Sequence, residues 1–108
     1  MKFLLIDDDA SLRGLIRRLL IKAWPMAVID VFDPTRSGKP DRDFPWTNYD
    51  VVLLDYDFGM DHLNGLDVLV DIKSEGEGPI VIMVTSQESV SLAVKAMQKG
   101  AHGRASRR

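Results

Sequence analysis

The sequence predicts an α/β domain built on a doubly wound parallel sheet, and three observations carry that expectation. Short, unbroken apolar runs alternate with longer segments of helical spacing. The runs have no polar alternation, as expected of strands covered on both faces. They end on acids or hydroxyls, and thirteen of the sixteen acidic residues are Asp, a residue of caps, turns and sites rather than of helix surfaces.

Phe3-Leu4-Leu5-Ile6 reads as the first strand, closed by Asp7, Asp8 and Asp9. Leu12, Leu15, Ile16, Leu19, Leu20 and Ala23 then recur at helical spacing, with Arg13, Arg17, Arg18 and Lys22 assigned to the opposite, solvated side. Asp9 or Ser11 can cap this helix and Pro25 stops it. Residues 27–32 give a second strand, in which Asp30 suggests an edge position. Pro34, Gly38, Pro40 and Pro45 break up residues 33–49, which predicts a loop with one short turn, anchored by Phe44, Trp46 and Tyr49. Val51-Val52-Leu53-Leu54 is the third strand, ending on Asp55. Leu66, Leu69, Val70 and Ile72 mark a helix opened by Asn64 and closed by Gly76. Pro79 introduces the fourth strand, residues 80–84, and the last helix carries Val90, Ala93, Val94 and Met97 on one face. Thr85 and Glu88 have capping-box spacing before it, and Gly100 is its natural stop.

Composition narrows the function classes. A chain of 108 residues fits one domain, and a domain of that size buries roughly 65% of its unfolded surface, enough for a core without staples. With no Cys, disulfides, thiolate metal sites and cysteine nucleophiles are excluded. A net charge of −2 is too balanced for a nucleic-acid footprint, and Arg104, Arg107 and Arg108 offer only salt-sensitive, sequence-blind attraction. No apolar run reaches membrane-spanning length, and the first apolar stretch is cut short by acids, unlike a signal peptide. The expectation is a cytoplasmic domain with no membrane and no nucleic-acid partner.

In a doubly wound sheet ligands sit beyond the carboxyl ends of the strands. Asp7 to Asp9, Asp55 with Asp57, and Thr85 all fall there, after three different strands. Taken singly, each has a structural reading: a cap and turn for Asp7 to Asp9, a strand-ending turn for Asp55, a cap for Thr85. Convergence is what those readings do not predict. Two carboxylates about 5 Å apart repel by roughly 3 kcal/mol at an effective dielectric near 20, so protons or a cation must relieve the group. Oxygen donors without Cys or a neighbouring His favour a hard ion, and a small cup that keeps several waters suits Mg²⁺.

The residues Phe3 to Asp9, Val51 to Asp55, Gly65 to Leu69, Ile80 to Ser86 and Ala96 to Ala101 together resemble the receiver domain of two-component response regulators, in the family's order. The resemblance implies a flavodoxin-like sheet of order 2-1-3-4, an incomplete receiver-like domain over residues 1–102, and a disordered basic tail over 103–108. It implies that Asp55 is the phosphoacceptor, supplied by a histidine kinase or phosphotransfer protein. Asp8 would bind Mg²⁺ directly, Asp7 largely through water, and Asp57 through its backbone carbonyl. Thr85 would be the switch hydroxyl that meets the new phosphoryl group. Such a protein is a phosphoacceptor with at most self-catalysed phosphotransfer and dephosphorylation.

The sequence departs from the family pattern in three places. After Gly100 and Ala101 there is no fifth strand, no Lys at its end, no aromatic switch residue and no fifth helix, so a truncated product is expected. That leaves the fourth strand as an open edge, predicting a homodimer or a domain-swapped assembly, and deprives the first helix of its usual neighbour. After the acceptor, Gly59 stands where the family has Pro, in a loop longer than the family's that also carries His62. The Pro-rich stretch replaces the usual second helix. Two rival readings follow: a receiver-like module kept for protein contacts and never phosphorylated, and a haloacid-dehalogenase-like phosphatase read from Asp55-Tyr56-Asp57. The second lacks that family's downstream Lys and late acidic pair.

Overall fold

The structure, a computed structural model, describes residues 1–38, 40, 43–55, 58, 64–74, 78–84 and 87–98. Within them a four-stranded parallel sheet is formed by β1 (Lys2–Ile6), β2 (Val28–Phe32), β3 (Val51–Asp55) and β4 (Ile80–Val84) in the order β2-β1-β3-β4. Helices α1 (Ala10–Ala23), α2 (Pro34–Ser37), α3 (Gly65–Ser74) and α4 (Gln87–Gln98) connect and cover it, with a short 3₁₀ turn at Trp46–Asn48. No helix among the described residues is long and apolar enough to cross a membrane.

The apolar strands are buried on both faces because their alternate side chains feed two separate cores. Phe3, Leu5, Val51, Leu53, Ile82 and Val84 point to one face, where Ile16 and Leu20 of α1 and Val90, Val94 and Met97 of α4 cover them. Leu4, Ile6, Val52, Leu54 and Val81 point to the other, against Val68 and Ile72 of α3 together with Trp46 and Phe58. The sheet is therefore a two-sided partition. On this face α1 packs directly against α4.

Local chemistry sets the element ends. Asp9, not Ser11, caps α1, accepting from the N–H groups of Ser11 at 2.9 Å and Leu12 at 3.2 Å. Asn64 opens α3 in the same way, accepting from Leu66 and Asp67, while the Asp67 carboxylate accepts from the Asn64 N–H. The apolar face of α3 differs from the sequence reading. Leu66 and Val70 are 47% and 67% exposed, and Val68 and Ile72 turn inward with Leu69 at the margin. With so many apolar residues in one short helix, periodicity alone does not choose the face.

The Pro-rich stretch forms one turn of helix, α2, and an aromatic cluster in place of a long helix. Phe44 meets Phe32 edge-on at 5.6 Å, lies 4.4 Å from Trp46, and stacks on Tyr49 at 6.3 Å between centroids. Tyr49 also donates its hydroxyl to Asp30 of β2 at 2.7 Å, which explains how an acid sits in that edge strand. Burial, then the hydrogen bond to Asp30 and its charge, push the Tyr49 hydroxyl up to about 12 from its ordinary value near 10. The fifth-strand region, the tail with Arg104, Gly76, Gly100 and His62 lie outside the described residues.

Tyr49→Phe should lower the free energy of unfolding by about 1 kcal/mol, because the Asp30 carboxylate loses its phenol donor. The pH dependence has a defined sign. Between pH 10 and about 12 the folded chain keeps the Tyr49 proton and the unfolded chain releases it, so stability falls as pH rises through that window. Urea unfolding midpoints at neutral and alkaline pH should show this decline in the native sequence and a shallower one in Tyr49→Phe.

Candidate functional site

The carboxyl ends of β1 and β3 are adjacent because the strands pair directly, with Ile6 opposite Leu54. The next residue on each, Asp7 and Asp55, is thereby delivered to the same edge of the sheet. Asp7 continues the ladder by donating its N–H to the Phe32 carbonyl at 3.2 Å, which holds it in line with β1. Asp8 follows in the turn before α1. One carboxylate oxygen from each of Asp7, Asp8 and Asp55 lies within 4.8 Å of the others. Strand register thus brings the adjacent Asp7 and Asp8 together with Asp55, far along the chain.

Their surroundings differ. Asp7 is 3% exposed, whereas Asp8 and Asp55 are half-buried. Burial pushes the Asp7 carboxyl above the usual carboxylate range, and the charges of Asp8 and Asp9 push the same way. The Asp9 N–H, donated to Asp7 Oδ1 at 2.8 Å, and a hydrogen bond with the Asp55 side chain pull it back. Asp9 is exposed and occupied by the α1 cap, leaving the cup to the other three.

The donor set is oxygen only, closed on the Asp7 side and open to water at Asp8 and Asp55. That chemistry fits a hard divalent cation that retains part of its water shell. Of the other residues expected at the site, the Asp57 carbonyl and Thr85 lie outside the described residues. Phe58, between them in sequence, is 1% exposed and inserts beside Trp46, Val68 and Ile72, which anchors the chain just beyond Asp55.

Two neighbours of the cup were not expected from the sequence. Arg13, assigned to the solvated side of α1, instead donates Nη1 to the Asp7 carbonyl at 2.8 Å and lies 3.6 Å from Asp33 Oδ2. Asp33 caps α2, accepting from the Thr35 hydroxyl at 2.6 Å and its N–H at 2.9 Å. The Thr35 hydroxyl, then its N–H and the nearby Arg13 and Arg36 charges hold the Asp33 carboxyl below its usual range. A signal was present: α1 has a base near its start and no acid in its first turn, against the helix dipole.

Comparison with known proteins bears on this geometry. A family model described as the response regulator receiver domain matches residues 3–106. The chain belongs to that family. The receiver is 28% identical over 102 residues to a chemotaxis protein CheY homologue of Campylobacter jejuni, covering 93% of this chain and 75% of that one. It is similar to the signal receiver domain of a DNA-binding response regulator from Colwellia psychrerythraea, with a TM-score of 0.62, 23% identity and 94% of each chain covered. It is also similar to a chain in the crystal structure of histidine kinase ThkA with response regulator TrrA, with a TM-score of 0.59, 26% identity, and 79% of this chain and 68% of that one covered.

In chelator-treated protein, Asp7→Asn should raise stability by about 1 kcal/mol. Asn keeps the acceptor for the Asp9 N–H and offers Asp55 a donor, while removing a charge that burial and two neighbours oppose. Urea denaturation of both proteins in excess chelator measures it, and a loss of stability would contradict the electrostatic account.

Proposed function

We propose that this receiver domain accepts a phosphoryl group on Asp55 from a histidine kinase or phosphotransfer protein, with Mg²⁺ held at the acidic cup. The observation that carries the reading is the meeting of Asp7, Asp8 and Asp55 within 4.8 Å at the carboxyl edge of the sheet. The likeness to a chain of the ThkA–TrrA complex supports a kinase as donor, and such a partner would place the domain in the cytoplasm.

The half-buried Asp55 carboxylate would attack phosphorus in line. The phosphorus–nitrogen bond of a phosphohistidine breaks as the acyl phosphate forms, and the imidazole leaves with the electron pair. Asp8 would bind the ion directly and Asp7 largely through water, as in the resemblance, with the Asp57 carbonyl completing the protein's share. A bound divalent ion would offset charge on the transferring oxygens and hold donor and acceptor in line. Asp7, held by the β1 ladder and by the Asp9 N–H, keeps its place in the cup beforehand, so little reorganisation accompanies the reaction. The phosphoryl group then adds up to two negative charges, and the Thr85 hydroxyl would donate to it, shifting the segment before α4.

The test is a titration of ¹⁵N-labelled protein with Mg²⁺ and then with beryllofluoride, an acyl-phosphate mimic. Amide shifts should move around residues 7–9 with Mg²⁺ and around Asp55 and α4 with the mimic. Asp55→Asn should abolish the second response, and Thr85→Ala should confine it to the cup. Silence toward the mimic in the native sequence would overturn phosphoacceptance and leave a module kept for protein contacts. Sustained turnover of a chromogenic phosphate ester would point instead to a phosphatase.

A further inference from the structure

We propose that Arg13 is the positioning residue of the acidic cup, tying the peptide between Asp7 and Asp8 to the cap of α2. This rests on the metal-assisted reading above and adds to it a route by which the segment beginning at Asp33 sets the metal affinity of the cup. Arg13 Nη1 binds the Asp7 backbone carbonyl at 2.8 Å, not a carboxylate. That carbonyl belongs to the peptide plane leading into Asp8, so fixing it fixes the direction in which the Asp8 side chain leaves the backbone. Asp7 itself is already held by the β1–β2 ladder and by the Asp9 N–H. Asp8 sits between this peptide and the next, whose N–H is donated to Asp7 Oδ1, and Arg13 holds the first of the two.

The other end of the clamp is Asp33, 3.6 Å from the same nitrogen, with both side chains mostly covered, at 22% and 16% exposure. Asp33 is in turn fixed by two hydrogen bonds from Thr35, from its N–H and its hydroxyl. The guanidinium therefore joins the end of β1, the second turn of α1 and the start of α2 in one network, where a flexible ammonium would leave the geometry loose.

Charge and position make opposite demands, and this separates the proposal from a simple field effect. A cation beside the cup opposes a second cation, so on Coulomb grounds alone removing Arg13 would strengthen Mg²⁺ binding. Positioning predicts the reverse, a loss in every Arg13 variant that breaks the clamp.

The experiment measures Mg²⁺ affinity calorimetrically for the full chain and for Arg13→Gln and Arg13→Lys. The Asp8 amide shift is recorded for each, and for Asp33→Asn, in chelator. Arg13→Lys keeps the charge and carries the affinity test if Arg13→Gln does not fold; Asp33→Asn keeps an α2 cap but also removes a negative charge, so it is read through the Asp8 amide alone. The expected result is about tenfold weaker Mg²⁺ binding in Arg13→Gln, a smaller loss in Arg13→Lys, and a displaced Asp8 amide in all three variants. Equal or tighter binding in a folded Arg13→Gln overturns the proposal and leaves phosphoacceptance at Asp55 standing. If the native sequence binds no Mg²⁺, the metal-assisted reading fails. The Asp8 amide then decides the clamp: a shift in Asp33→Asn supports it, and an unmoved resonance overturns it.

Discussion

Three carboxylates confined to one small volume are the constraint from which the rest of the molecule is best understood. At 4.8 Å and an effective dielectric near 20, each charged pair costs about 3 kcal/mol, a large fraction of the stability of any small domain. The sheet can impose that cost because Asp7 and Asp55 continue its two central strands. Moving either acid away would break the register of β1 against β3, on which both cores are built. That repulsion demands relief within the cup, by protons or by a cation.

The two cores account for why those strands are central. Each of β1 and β3 buries alternate residues against α1 and α4 on one side and against α3 and the Trp46 cluster on the other. Neither face can slip by one residue without exchanging the two sets. The aromatic cluster of Phe32, Phe44, Trp46 and Tyr49 completes the second face where only a single turn of helix, α2, is present. A segment with four Pro or Gly interruptions can do this because large rings supply buried area without needing regular backbone.

Much of this was legible in the residues. The four strands, the helices between them and the meeting of residues 7, 8 and 55 follow from apolar runs and from where Asp punctuates them. The inward face of α3 was not, since Leu66, Val68, Leu69, Val70 and Ile72 leave no polar stripe to break the symmetry. Nor was the place of Arg13, because a base on the side opposite the apolar stripe ordinarily reads as solvated. Its two partners come from the end of β1 and from a loop twenty residues on. Side-chain reach across elements is not encoded in any local period. The packing of α4 beside α1 was likewise hidden, because spacing shows that a helix has an apolar face but not which face of the sheet receives it.

The division of labour among the acids argues against a purely structural account of the cup. Helix N-termini need acceptors, and here that need is met by Asp9 for α1, Asp33 for α2 and Asn64 for α3. None of these three caps requires Asp7, Asp8 or Asp55. A turn residue would be as well served by Asn, which carries the same acceptor without the charge. Instead the most buried of the three is an acid, raised above its ordinary range by that burial and by its neighbours' charge. Local choices that oppose stability while their surroundings agree with the fold are expected where a site, not the scaffold, has set the residue. The same logic extends to Arg13: a cation near the N-terminus of α1 is unfavourable for the helix and favourable only for the peptide and carboxylate it grips.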